Sequence, residues 1–318
     1  MKFLINTCTD PYYNMALDEF CLEHIVSDEP YFYLWRNCPS VIIGLNQNAY
    51  GEVNLDYLNS HGIKLVRRMT GGGAVYHDLQ NMNYTIIGRD PSPKVMVDAL
   101  RSLGLDAEAT GRNDIFVDGK KVSGYARRVS KRQEIIHGTL MYDVDLETLT
   151  QVLDVPGSKL ESKGIASVKS RVTNLKEHLP QFASLDELQA KLQEILAGED
   201  CEIVLTPEMK EQVQKMARTK FETWDFIYGQ SHEADFRNSR KLACGTVTAE
   251  VSIYKGIIKK VSFSGDFMFG KPAEELAAKL EGIRYEKDSL TEVLEKEDVS
   301  NYFKGVSAQE LAQLIACQ

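Results

Sequence analysis

Three consecutive glycines, Gly71, Gly72 and Gly73, stand between two apolar runs and follow directly on Arg67, Arg68, Met69 and Thr70. The run before them, 63–66, and the run after, 83–87, both read as strands. Glycines cost chain entropy and pack nothing, so a strand-to-strand connection does not accumulate three of them without a use. Their use is backbone N–H groups that a ligand can approach with no Cβ in the way. Two arginines beside them add fixed charge and planar forks suited to phosphate or carboxylate. The stretch 67–78 therefore reads as an anion cradle, with a tight turn on a solvated basic flank as the plainer alternative. It is neither of two common nucleotide loops. No Gly-Lys-Ser/Thr follows at P-loop spacing, and no Gly-x-Gly-x-x-Gly opens a helix.

Composition narrows the class of ligand. The 318 residues carry a net charge of −9, 43% hydrophobic and 26% charged residues, a soluble globular balance. An acidic chain lacks the basic face that releases phosphate counterions, which argues against general nucleic-acid binding but leaves room for one nucleotide. No apolar run reaches membrane-spanning length, and the first residues lack the pattern of a signal peptide. Cys8, Cys21, Cys38, Cys201, Cys244 and Cys317 are scattered and form no C-x-x-C pair, so the expectation is reduced thiols in a cytoplasmic protein.

Along the chain, 14–26 reads as an amphipathic helix with Asn14 as its N-cap. Strands follow at 31–35 and 40–44, split by Asn37-Cys38-Pro39, then a short helix at 56–62 ending on glycine. A helix is expected from Ser92-Pro93 to Leu103, closed by Gly104. Asp118-Gly119 between apolar-rich runs is a strong signal for a type I′ hairpin. Strand 135–141 comes next, then a connection at 157–173 with Lys163, Lys169 and Arg171, and a capping-box helix from Ser184 to before Gly198. From about 244 the texture changes to a hairpin (246–253 and 257–263), a helix at 272–280 and a polar helical tail. The fold class expected is α+β, with mixed or antiparallel sheets flanked by helices. Its organisation is a catalytic domain over 1–240 and a small α+β domain over 241–318.

In the hairpin, Lys120 and Lys121 alternate across the returning strand, so at most one faces inward. An inward lysine needs an anion near it, and phosphate supplies one.

With these residues in view, the chain resembles the lipoate–protein ligase A family, in its long form with a C-terminal accessory domain. The paired arginines, small hydroxyl and three glycines leading into Ala74-Val75-Tyr76-His77-Asp78 match its lipoate-binding loop. The stretch Gly111-Arg112-Asn113-Asp114, a turn, then Lys121-Val122-Ser123-Gly124 matches a second signature, and His137-Gly138-Thr139-Leu140 a third. The stretch 163–175 is similar to the adenylate-covering loop. The matches run in the family's order over nearly the whole chain.

The resemblance implies a fold and a two-step reaction. Lipoate and ATP give lipoyl-AMP, and the lipoyl group then passes to a lysine on an acceptor. The acceptors implied are lipoyl domains of 2-oxoacid dehydrogenase E2 subunits or the glycine cleavage H protein, with no nucleic acid or membrane partner and a monomeric enzyme. Lys121 falls on the essential lysine, which contacts acyl carbonyl and α-phosphate. ATP and lipoyl-AMP are expected against Arg68, Gly71, Gly72, Gly73, Ala74, Val75, Tyr76, Asn81, Lys121, Gly138 and Thr139. Mg²⁺ is expected on the nucleotide, with Asp114 as a ligand for it or else a hairpin-entry cap. An apolar tunnel for the lipoyl tail draws on Leu17, Trp35, Val41 and Val75. His77 beside Asp78 reads as a structural hydrogen-bond pair rather than a general base. One position, Gln80, stands where the family has glycine.

Two rivals remain on sequence. An octanoyl or lipoyl transferase of this fold carries a cysteine before the lysine hairpin, and 105–115 has none. A non-catalytic relative would have no reason to keep Arg68, the glycines and Lys121 together.

Overall fold

The computed structural model of the chain describes residues 1–47, 49–110, 113–153, 171–198, 201–228, 236–254 and 256–316. Gly111, Arg112, Lys163 and Lys169, read above as parts of signatures, lie outside the described residues. Two compact units form. One comprises Met1–Ile42, Val53–Met69 and Val75–Thr223; the other comprises Ile43–Glu52, Thr70–Ala74 and Trp224–Gln318.

The first unit is built on an eight-stranded mixed sheet. Its order is Glu202–Ile203, Lys2–Leu4, Tyr31–Arg36, Asn81–Gly88, Glu134–Met141, Lys120–Val129, Asp114–Val117 and Ala107–Thr110. The first three lie parallel to one another and the remaining pairs are antiparallel. A second, three-stranded sheet joins Lys64–Arg67, Ser40–Ile43 and Val75–His77. The hairpin signal is realised in full, because Asp118 and Gly119 take φ of 50° and 75° as a type I′ turn requires.

Asn81–Gly88 lies at the centre of the large sheet and is buried over all eight residues. It starts two residues earlier than the apolar run indicates, because the strand spends its first turns on asparagines. Alternation splits it. Met82, Tyr84 and Ile86 enter one core with Met96, Leu100, Val122, Leu140 and Leu188, while Asn81, Asn83 and Thr85 point to the other face. On the core side Tyr84 faces Gly138 across the ladder. A Cβ at Gly138 would lie 2.6 Å from the Tyr84 ring, so glycine is needed there for packing.

The opening helix corrects the sequence expectation. It spans Pro11–His24, and its N-cap is Asp10, which accepts from the Tyr12 amide. Asn14 is inside the helix and 1% exposed. Proline at the first helical position explains the earlier start. Asn14 and Asp18, four residues apart, share one face and are both buried beside Met15, Leu17 and Leu22. The helix is therefore covered nearly all round, not amphipathic.

In the second unit, Phe236–Leu242, Gly245–Tyr254 and Ile257–Gly265 form an antiparallel meander. Helices Ala273–Lys279, Lys287–Glu295 and Ala308–Ala316 share its core with Val247, Val251, Phe267 and Phe303. The first strand has no apolar signature because it is a largely exposed edge, where lysine and arginine suit it. Glu52 is packed into this unit. Burial, with the Asp266 carboxylate adding, pushes its pKa up to about 7 against the opposing pull of Gln47 and Arg237.

Glu52 holds its proton more tightly folded than unfolded, so the stability it contributes is present below the ordinary carboxylate pKa and lost as pH rises through about 7. Amide hydrogen exchange of the 245–265 strands is expected to quicken from pH 5 to 8 beyond its intrinsic pH dependence, by at most about 3 kcal/mol of protection. Glu52→Gln is expected to flatten that change. Separately, Gly138→Ala forces a methyl into the Tyr84 ring and is expected to cost about 1–3 kcal/mol in urea denaturation. An unchanged midpoint would show the ring moves freely.

Candidate active site

Opposite residues in an antiparallel ladder share a face, so the register fixes what gathers on the polar side of the large sheet. Trp35 and Thr139 both stand opposite Asn83. Thr139 Oγ1 accepts the Gly124 amide at 3.2 Å. Beside Gly124 sits the end of Lys121, whose Nζ lies 3.1 Å from where a Gly124 Cβ would be. A side chain at 124 would displace the lysine head. The row Trp35, Asn83, Thr139, Gly124 and Lys121 thus runs across four strands of one sheet face.

Lys121 is the half-buried member of the lysine pair, and Lys120 is exposed. Lys121 Nζ lies 2.7 Å from Asp114 Oδ1, because Asp114 pairs with Gly124 across the hairpin. Its backbone is fixed as well. The Lys121 amide donates to the Arg171 carbonyl at 2.9 Å, and its own carbonyl accepts from the Thr173 amide at 3.1 Å. The end of the loop similar to the adenylate cover is therefore pinned to the lysine strand at the lysine itself.

Asn81 and Asn83, each 1% exposed, pair through Asn81 Nδ2 and Asn83 Oδ1 at 3.0 Å. That leaves Asn81 Oδ1 and Asn83 Nδ2 buried without partners among the described residues, one acceptor and one donor. Next to them the sheet face is already satisfied. Asp18, fully buried, accepts from Thr85 Oγ1 at 2.9 Å, from the Tyr33 hydroxyl, and pairs with His137 Nδ1 at 2.6 Å. Trp35 Nε1 donates to Thr85 at 2.9 Å. Asp18 was not singled out from sequence, Asn37 was read only as part of a turn, and His137 only as the first residue of the third signature. The signal was two polar residues, Asn14 and Asp18, at helical spacing amid apolar neighbours.

Arg67 and Arg68 are both buried. Arg68 Nη1 donates to the Ile42 carbonyl at 3.0 Å. Burial, joined by the Arg67 charge, lowers its pKa to about 10, so it stays protonated at neutral pH at a cost that an anion would offset. His77 lies on the Val75–His77 strand with Tyr76, and burial pushes its pKa down to about 3, with Arg68 and His137 adding. Its partner is Asn37 and not Asp78: Asn37 Nδ2 lies 3.0 Å from His77 Nδ1. Asp78 instead accepts the Gln80 amide at 2.8 Å. The tail candidates Leu17, Trp35 and Val41 are buried, and Val75 is half-buried.

Gly71, Gly72 and Gly73 belong with Ala74 to the second unit. There the backbone brought close to them is the protein's own. A Cβ on Gly71 would lie 2.5 Å from the Phe267 carbonyl oxygen, and the Gly72 amide, at φ 93°, donates to that oxygen at 3.4 Å. An electron-rich oxygen thus stands against the Gly72 amide.

A cleft of about 510 Å³ opens beside Lys120, lined by Asp143, Asp145, Glu147 and Glu177 with Thr173 and Asn174. Its four carboxylates make it an acidic cleft. Among the described residues no helix is long and apolar enough to cross a membrane.

Against known proteins, residues 10–197 match the model of the lipoyl protein ligase A/B catalytic domain, and residues 231–315 match the bacterial lipoate protein ligase C-terminus. The chain is 34% identical to lipoate-protein ligase LplJ of Bacillus subtilis, over 99% of this chain and all of that one. It is 36% identical to lipoate–protein ligase 1 of Staphylococcus aureus, with the same coverage. A lipoate-protein ligase A structure bound with ATP superposes with TM-score 0.62 at 29% identity, covering 72% of this chain and 99% of that one. Plasmodium falciparum LipL1 in complex with lipoate shares the fold at TM-score 0.79 and 23% identity, covering 100% of this chain and 99% of that one. With both domains matched in order and relatives aligned end to end, the chain belongs to the lipoate–protein ligase family and is a ligase of that family.

Proposed function

We propose that this ligase activates lipoate with ATP to lipoyl-AMP and passes the lipoyl group to a lysine on a lipoyl domain, with Lys121 as the residue common to both steps. The observation that carries this is the placement of Lys121. It is half-buried, its backbone is pinned on both sides by 171–173, and its ammonium ends on a sheet face with two unfilled amide atoms. In the first step a carboxylate oxygen attacks the α-phosphorus and pyrophosphate leaves. Two anions must meet, and Lys121 and Arg68 supply the opposing charge. The amides from Gly73 to Tyr76, with Gly71 and Gly72, are assigned to the phosphates. Asn81 and Thr139 are assigned to the adenylate. The Gly138 side-chain position belongs to Tyr84, so a contact from Gly138 is left to its backbone.

Mg²⁺ on the triphosphate neutralises phosphate charge when bound. The donor set fits that role and not a protein cage. Asp114 is a single carboxylate paired with Lys121, and among the described residues no cluster of three or more His, Cys, Asp or Glu is placed to hold a metal. In the second step the acceptor amine attacks the acyl carbon and AMP leaves. The acceptor assigned is a lipoyl domain; a related two-part ligase from Thermoplasma acidophilum is described with its E2 lipoyl domain.

A thiol-dependent transferase is disfavoured at Cys21, which is fully buried with its pKa driven well above the ordinary thiol value by burial and by Asp18. Burial likewise raises Cys38.

Lipoate-dependent exchange of labelled pyrophosphate into ATP tests the assignment. Lys121→Ala is expected to lower it by roughly 100-fold or more, the scale for losing one preorganised donor, and to slow transfer from supplied lipoyl-AMP as well. Near-normal exchange by the variant would remove Lys121 from the chemistry.

A further inference from the structure

Asn14, Asn37 and His77 form a buried chain of amides and imidazole that fixes the position of one proton. Asn14 Nδ2 lies 3.0 Å from the carbonyl oxygens of both Cys8 and Arg36, and 2.8 Å from Asn37 Oδ1. Carbonyls only accept, so the atom between them is the Asn14 nitrogen. Asn37 must then turn its oxygen to Asn14 and its nitrogen to His77. A donor 3.0 Å from His77 Nδ1 makes that nitrogen the acceptor and places the imidazole proton on Nε2. His77 Nε2 is buried and has no hydrogen-bond partner among the described residues.

A buried N–H left unpaired is costly and rare in a folded protein. It sits on a ring held neutral, packed edge-on against Trp35 at 6.2 Å between centroids, and within the field of the Arg68 guanidinium. A neutral donor beside a fixed cation suits an oxygen that carries negative charge. It does not suit a general base, since Nδ1 is engaged and Nε2 already holds its proton. Neutral imidazole used as an electrophile is established chemistry in another enzyme, triosephosphate isomerase.

We propose that His77 Nε2–H donates a hydrogen bond to a carboxyl oxygen of the acyl substrate and serves as an oxyanion donor in both half-reactions. In adenylation one carboxylate oxygen bonds to the α-phosphorus as the bond to pyrophosphate breaks, and the other oxygen, becoming the carbonyl, stays on His77. In transfer the acceptor nitrogen bonds to the acyl carbon and the carbonyl electron pair moves onto that oxygen. The pair returns as the bond to AMP breaks, and the amine's proton goes to water. His77 keeps its own proton throughout. The proposal rests on the ligase reading of this site.

The test uses the full chain labelled with ¹⁵N-histidine. Nitrogen–proton correlation spectra are expected to show His77 protonated on Nε2 and not on Nδ1, unchanged between pH 5 and 8. Lipoate alone and octanoate alone should each move the Nε2–H proton downfield, since both present the same carboxylate. A proton on Nδ1, a titration within that range, or no response to either acid would overturn the proposal. So would a response to lipoate but not octanoate, which would put the sulfur ring at His77. In pyrophosphate exchange, His77→Leu is expected to lower kcat by roughly 100-fold with little change in the KM for lipoate. His77→Gln, whose amide nitrogen reaches the Nε2 position, should recover most of it. Wild-type kcat in a folded His77→Leu variant would overturn the assignment. The spectra test His77 whether or not the wild type exchanges pyrophosphate, so a failure of the ligase reading shows in the wild-type rate alone.

Discussion

The catalytic unit depends on one strand that is buried on both faces and polar on one of them. Burying Asn81, Asn83 and Thr85 at the centre of an eight-stranded sheet is tolerable only if their hydrogen bonds are met. Thr85 is met by Trp35 and Asp18, and through Asp18 by Tyr33 and His137. Those bonds tie the opening helix to three strands and leave that part of the face complete. The asparagines meet each other and stop one bond short on each side. The contrast runs along one strand: among the described residues the same face is saturated at Thr85 and open at Asn81 and Asn83.

Helix position 14 carries the same logic into the second sheet. Asn14 spends its amide on two carbonyls and on Asn37, which turns toward His77. A residue whose composition suggests a cap is instead a buried cross-link between the helix, the Tyr31–Arg36 strand and the strand that ends in His77. The apolar surroundings that let these bonds persist also keep His77 uncharged. Arg68 retains its proton in the same environment only because a guanidinium starts from so high a pKa. Burial therefore sorts the two neighbours into a permanent cation and a permanent neutral donor.

How much of this was legible in the sequence follows from which forces are local. The type I′ turn at Asp118-Gly119 was legible because the backbone conformation demands those residues, and the alternation after it allowed only one of Lys120 and Lys121 to face inward, while the family resemblance picked Lys121. Helix closure at Gly62 and the Ser184 cap were legible for the same reason. The opening helix was misplaced because Asn14 fits a capping preference and its true role needs partners 6 to 23 residues away. The edge strand Phe236–Leu242 was missed because an exposed edge carries no apolar pattern. The glycine run announced that backbone would be approached closely. It carried no information on what approaches, and in this structure the Phe267 carbonyl does so.

That carbonyl bears on why a ligase would keep three glycines where one turn needs fewer. Gly72 takes a positive φ, and Gly71 leaves no room for a methyl against Phe267, so two of the three are fixed by conformation and contact inside the second unit. An amide that donates to a carbonyl oxygen at 3.4 Å makes a long, weak bond. A phosphate oxygen carries more negative charge than a peptide carbonyl and forms shorter bonds to N–H donors. The Gly72 amide is thus engaged, in this structure, by a weak acceptor.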